Sequence, residues 1–66
     1  MKLNRHRLLL AMANECMMSK DLAEKSGVSL PALTNIKSGK REPRPDIVGK
    51  LAKALNVTPE YLTEKE

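Results

Sequence analysis

Aromatic residues are almost missing from this 66-residue chain: there is no tryptophan, no phenylalanine and a single tyrosine, Tyr61. Cysteine is equally scarce. Cys16 stands alone, so no intramolecular disulfide forms and no oxidising compartment is needed. With His6 it makes only two soft ligands, too few for a structural zinc site, and no metal is expected. The longest apolar run, Leu8 to Ala13, falls far short of the ~20 residues of a membrane span. Lys2, Arg5 and Arg7 precede that run, but it is too short for a signal peptide and no small-residue cleavage site follows. No Gly-rich phosphate loop and no paired nucleophile and base occur, which argues against an enzyme. No segment alternates apolar and polar residues, so no strand is expected, and there are no repeats.

What remains is globular and basic. Hydrophobic residues make up 41% and charged residues 30%, with a net charge of +4. That composition supports one domain over residues 1–66 with one small core. A chain this short buries only about 60% of its unfolded surface, so its stability margin is thin and a partner is expected to widen it.

Breakers cut the chain into five helical pieces. The first, Leu3 to about Glu15, lacks Gly and Pro and is rich in Leu, Ala and Met. Ser19 is placed to cap the second, Lys20 to Lys25, with Asp21 in its first turn and Gly27 as a left-handed stop. Ser29 caps the third, Leu30 to Lys37, with Pro31 in the first turn and Gly39 ending it. Lys40 to Arg44 reads as a loop, because Pro43 pushes its predecessor out of the helical region. Pro45 opens the fourth helix, to about Leu55, and Asn56 is its left-handed cap. Thr58 caps a fifth, one-turn helix led by Pro59. Helices this short hold only by packing on one another. The expected core is Leu22, Ala23, Val28, Leu33, Ile36, Val48, Leu51, Ala52, Leu55, Val57 and Leu62. Met12, Met17 and Met18 are expected to fill gaps in it, Cys16 to be buried or half-buried, and His6 to lie at the surface.

Residues 19–38 form a unit. Two short helices are joined by a tight Ser26-Gly27-Val28 turn, the geometry of a helix-turn-helix. Counted from Ser19, the small Ala23 is fifth, where the helices cross. Gly27 is ninth, where positive φ is needed, and Leu33 and Ile36, fifteenth and eighteenth, share one inward face. Leu30, Pro31, Thr34, Asn35 and Lys37 are left facing outward.

The stretches SKDLAEKSGVSLPALTNIKSGKREP and LAKALNVTPEYL resemble the lambda-repressor-like, Cro-type helix-turn-helix regulators, also called the XRE family. The resemblance covers nearly the whole chain. It implies an all-α, five-helix DNA-binding domain and a transcriptional regulator, a repressor in the favoured reading, working on double-stranded DNA as a dimer. On that reading the third helix enters the major groove, where Leu30, Pro31, Thr34 and Asn35 read bases. Ser19, Lys20, Ser29, Lys37, Lys40, Arg41 and Arg44 hold the backbone, and Arg44 leans toward the minor groove. The acids Glu60, Glu64 and Glu66 gather at the opposite, carboxyl end.

Two departures stand out. Ser19 occupies a place where the family usually has a phosphate-gripping glutamine. Met12 and Lys37 stand where the family often pairs an arginine with a glutamate, and Lys37 is expected to lay its stem over Met12 with its head free. The first helix has two possible inward faces. The family register, which is favoured, turns Leu8, Ala11 and Met12 inward and leaves Leu10 partly exposed, whereas periodicity alone also supports Leu3, Leu10, Ala13 and Met17.

A weak or DNA-assisted homodimer on a pseudo-palindromic operator is expected, since one helix reads few base pairs. Val57 and Tyr61 are its expected interface. A cytoplasmic location, no cofactor and, with no sensory domain after Glu66, no small-molecule effector complete the reading. The rival is a protein-binding adaptor or antitoxin-like module on the same fold, toward which only the outward Leu30 leans.

Overall fold

The computed structural model describes residues 1–64, and among them the chain is all-α. Five helices follow in order: α1 Arg5–Asn14, α2 Ser19–Ser26, α3 Leu30–Ser38, α4 Pro45–Leu55 and α5 Pro59–Leu62. Their starts are set by local chemistry. Ser29 accepts the Ala32 N–H at 3.3 Å and Thr58 accepts the Tyr61 N–H at 3.1 Å, each satisfying an orphan donor of a first turn. Pro31, Pro45 and Pro59 all lie at the first or second helical position.

The cap of α2 differs from the expectation. Met18, not Ser19, is the N-cap residue, and the Asp21 carboxylate reaches back to accept its N–H at 2.9 Å. Asp21 thereby satisfies the start of the helix, and Ser19 enters the first turn with its hydroxyl free for another partner.

Helix α1 begins at Arg5, not Leu3. Asn4 caps it by accepting the Arg7 N–H at 3.0 Å. Leu3 is extended and pairs antiparallel with Thr63: the Asn4 N–H donates to the Leu62 carbonyl at 2.7 Å and the Glu64 N–H to the Lys2 carbonyl at 2.9 Å. The family register is the one the first helix adopts. Leu8, Ala11 and Met12 turn inward from α1, while Leu3 reaches the core from outside the helix. Leu10 and Ala13 stay exposed, and Met17 packs against the core edge.

The end of α1 corrects two further expectations. The Cys16 N–H donates to the Ala13 carbonyl at 3.1 Å and the Met17 N–H to the Met12 carbonyl at 2.9 Å, with Cys16 left-handed at φ 54°. This is a Schellman stop with cysteine where glycine is usual. The reversal turns Met17 inward and leaves Cys16 and Met18 outward, Met18 being 74% exposed.

The core joins α2, α3, α4 and α5 with α1 across one end. Leu8, Leu22, Leu33, Val48, Leu51 and Leu62 are fully enclosed. Ala23 and Val57, expected inside, are only half-buried at its edge, while Ala54 is buried. Pro43, read as a loop breaker, is also enclosed. No buried polar or charged residue occurs among the described residues.

Candidate nucleic-acid interface

The candidate site is one face of α3 and its surroundings. Pro31 and Ser29 fix the helix start, and Leu33 and Ile36, three apart, anchor it in the core. That anchoring sets the rotation of the helix. Leu30, Pro31, Thr34 and Asn35 are all exposed on the opposite side, and α3 has no acid in its sequence.

Tertiary structure joins α2 to this face. The Lys37 ammonium donates a hydrogen bond to the Ser19 hydroxyl, across the angle between α2 and α3. Lys37, expected outward with its head free, is instead half-buried, and its ammonium is held at the seam by Ser19, so the two departures meet in one contact. The remaining ammonium hydrogens and the Ser19 O–H are donors available to an anion at that seam. Lys20, next along α2, is exposed.

Beyond α3, Gly39 is left-handed at φ +86°, and the Asn35 carbonyl accepts the N–H groups of Lys40 at 3.0 Å and Arg41 at 3.3 Å. The following loop is pinned from behind. Pro43 is sunk in the core, and Glu42 accepts the Leu3 N–H at 3.0 Å. This pinning holds Lys40, Arg41 and Arg44 outward, beside the end of α3. Arg44 is 3.8 Å from Asp46, an exposed pair worth little by itself.

One cation here was not legible beforehand. Arg5, at the start of α1, lays its guanidinium over Gly39: a Cβ at Gly39 would stand 3.1 Å from its Cζ. Its Nη1 is also 3.9 Å from Glu42. No local signal links Arg5 to residues 39–42, because only the docking of the amino-terminal segment brings them together.

Val57 and Tyr61 are not part of this assembly. Val57 packs against the core, and Arg7 lies over one face of Tyr61, with its guanidinium carbon 5.4 Å from the ring centroid, while Tyr61 stays exposed. The Arg7 Nη1 also donates to the Tyr61 carbonyl at 3.4 Å. Glu60 and Glu64 lie at this end with Arg7, Asn4 and Thr63, and Glu66 lies outside the described residues. Among the described residues no cluster of His, Cys, Asp and Glu could hold a metal ion, and no helix is long and apolar enough to cross a membrane.

Two helices crossing through a glycine turn, with the second exposing an acid-free face, define a helix-turn-helix domain. Comparison with known proteins agrees: the helix-turn-helix family model matches residues 9–62, and the chain belongs to that family. Membership points to DNA binding by this helix-turn-helix domain. The chain is similar to an uncharacterized HTH-type transcriptional regulator of Mycobacterium tuberculosis, in strains CDC 1551 and H37Rv. Each is 46% identical over 43 residues, which is 65% of this chain and 31% of the relative. The chain therefore spans about a third of the length of these curated relatives. No solved structure matches it.

Proposed function

We propose that this chain is a sequence-specific double-stranded DNA-binding domain that represses transcription by occupying an operator. The observation that carries the reading is the outward face of α3, where Leu30, Pro31, Thr34 and Asn35 stand exposed without an acid, beside Lys37, Lys40, Arg41 and Arg44. In this reading α3 enters the major groove. Asn35 makes two hydrogen bonds to an adenine edge, Thr34 offers a hydroxyl or a methyl, and Leu30 and Pro31 approach thymine methyls. Ser19 and Lys37 share one phosphate through their spare donors, with Lys20 and the hydroxyl of Ser29 nearby. Lys40, Arg41, Arg44 and the added Arg5 hold the flanking backbone, and Arg44 faces the minor groove. The domain works in the cytoplasm without cofactor or small-molecule effector, as a weak or DNA-assisted homodimer on a pseudo-palindromic site.

Selection of bound sites from a random duplex pool tests this directly, followed by affinity measurements across salt. A recovered consensus is expected, with log K falling against log salt by about 0.9 per neutralised phosphate. Absence of binding at low salt would overturn the reading and favour the protein-binding adaptor, which the 44% exposure of Leu30 supports.

A further inference from the structure

The run Leu8 to Ala13 has more apolar residues than one core can take, and α1 divides them. Leu8, Ala11 and Met12 are buried. Leu9 is 51% exposed and Leu10 47%, with His6 and Ala13 also exposed. Positions 6, 9, 10 and 13 follow helical spacing, so they form one continuous stripe opposite the buried one. Single exposed leucines are ordinary on a protein surface, but two adjoining ones in a stripe along a helix ask for a partner. The helix that carries them is held at both ends. Asn4 is bonded to Leu62 at 2.7 Å, and Glu15 accepts a hydrogen bond from Asn56 at 3.0 Å.

The charges on α1 say which partner. Its first turn has no acid and carries Arg5, His6 and Arg7, while its last turn has no base and is followed by Glu15. Each end thus bears charge of the same sign as the helix dipole's own partial charge there, the reverse of the stabilising arrangement. Arg5 and Glu15 have contacts within the chain, to Glu42 and Asn56, and an antiparallel copy of the same helix adds further relief at both ends, because each positive end then lies beside the other's negative end. The apolar stripe is complementary to itself in that orientation. With the two-fold axis near Leu9 and Leu10, Leu9 of one protomer meets Leu10 of the other. His6 then meets Ala13, whose small side chain allows close approach.

We infer that α1 is the self-recognition face of this protein, pairing two copies antiparallel through Leu9 and Leu10; this rests on the dimeric DNA-binding reading above. The stripe from residue 6 to 13 spans only about 10 Å of helix. Such a contact falls below the ~1,200 Å² of a standard stable interface, which makes the pair weak and dependent on DNA. The carboxyl end is the poorer candidate, since Arg7 already lies over Tyr61 and Val57 packs against the core.

The test uses the full chain and a duplex recovered from the random pool. Leu10→Cys in a Cys16→Ser background places thiols near the axis, and a bis-maleimide of short reach is expected to give a covalent dimer on DNA. The unaltered chain, whose Cys16 residues would lie about 20 Å apart along the paired helices, is expected to give none. Leu10→Lys, at an exposed site, should keep helicity and melting temperature, lower affinity for the duplex at least tenfold and reduce the complex from two chains to one. Tyr61→Ala should leave two chains bound. Cross-linking through Cys16 but not through position 10, or a dimer lost in Tyr61→Ala and kept in Leu10→Lys, would overturn the α1 face while leaving the dimeric reading intact. One unaltered chain bound per recovered site would overturn that dimeric reading itself, and the α1 face with it.

Discussion

Alanine at Gly27 and at Gly39 separates backbone strain from side-chain contact near the proposed DNA face. Both glycines are left-handed, at φ +79° and +86°. An L-residue there costs roughly 1–2 kcal/mol, offset in part by about 0.4–1 kcal/mol of lost unfolded-state freedom. Around Gly27 nothing lies within 4 Å of a new Cβ, so Gly27→Ala should lose about 1 kcal/mol from strain alone. At Gly39 the methyl would meet Arg5 Cζ and Nη1 at 3.1 Å and Nη2 at 3.4 Å. The guanidinium is the mobile end of a side chain 48% exposed, so displacing it and its 3.9 Å contact with Glu42 adds at most about 1 kcal/mol. For a domain of this size each kcal/mol lowers the melting temperature by roughly 4–8 °C. Thermal unfolding followed by circular dichroism should therefore rank wild type above Gly27→Ala above Gly39→Ala. Adding Arg5→Ala to each should show coupling at Gly39 and none at Gly27. A neutral or stabilised Gly27→Ala would refute the left-handed turn, and equal coupling at both sites would refute the packing of Arg5 on Gly39.

Cys16→Gly should stabilise the fold by up to about 1 kcal/mol, because the residue sits left-handed at φ 54°; a lower melting temperature would contradict the Schellman stop. Leu33→Ala, at a fully enclosed site, should cost about 2–5 kcal/mol and leave much of the protein unfolded at 37 °C, read by urea titration. Asn35→Ala should relax preference at one base position by about 1–3 kcal/mol, whereas Lys40→Ala should weaken all duplexes nearly alike and flatten the salt slope by about 0.9. Site selection with each variant checks this, and identical losses would show that the division between base reader and backbone holder is wrong.

Much of the architecture is legible without coordinates because it depends on interactions within four or five residues. Ser29, Thr58, Pro45, Pro59, Gly27, Gly39 and Asn56 each act on a neighbouring turn, so their types and spacing announce where helices start and stop. The Leu33 and Ile36 pair likewise determines which side of α3 faces inward, and so which residues are offered outward. Local reading falters where two local solutions compete. At α2 both Ser19 and the Met18–Asp21 pair can satisfy the start of the helix. At the end of α1 the stop is made by a cysteine, which carries none of glycine's signal.

The tertiary structure decided the rest, and its contacts reach across chain separations that no local pattern encodes. Leu3 meets Glu42 thirty-nine residues away, which sinks Leu3, aims the basic loop and brings Arg5 onto Gly39. Arg7 meets Tyr61 fifty-four residues away, which ties the start of α1 to α5. Ser19 and Lys37, eighteen apart, become one donor cluster only when α2 and α3 cross. In each case the side chain has several partners of nearly equal worth in the unfolded chain. Burial of the aliphatic core, which is blind to these polar groups, brings one of those partners within reach.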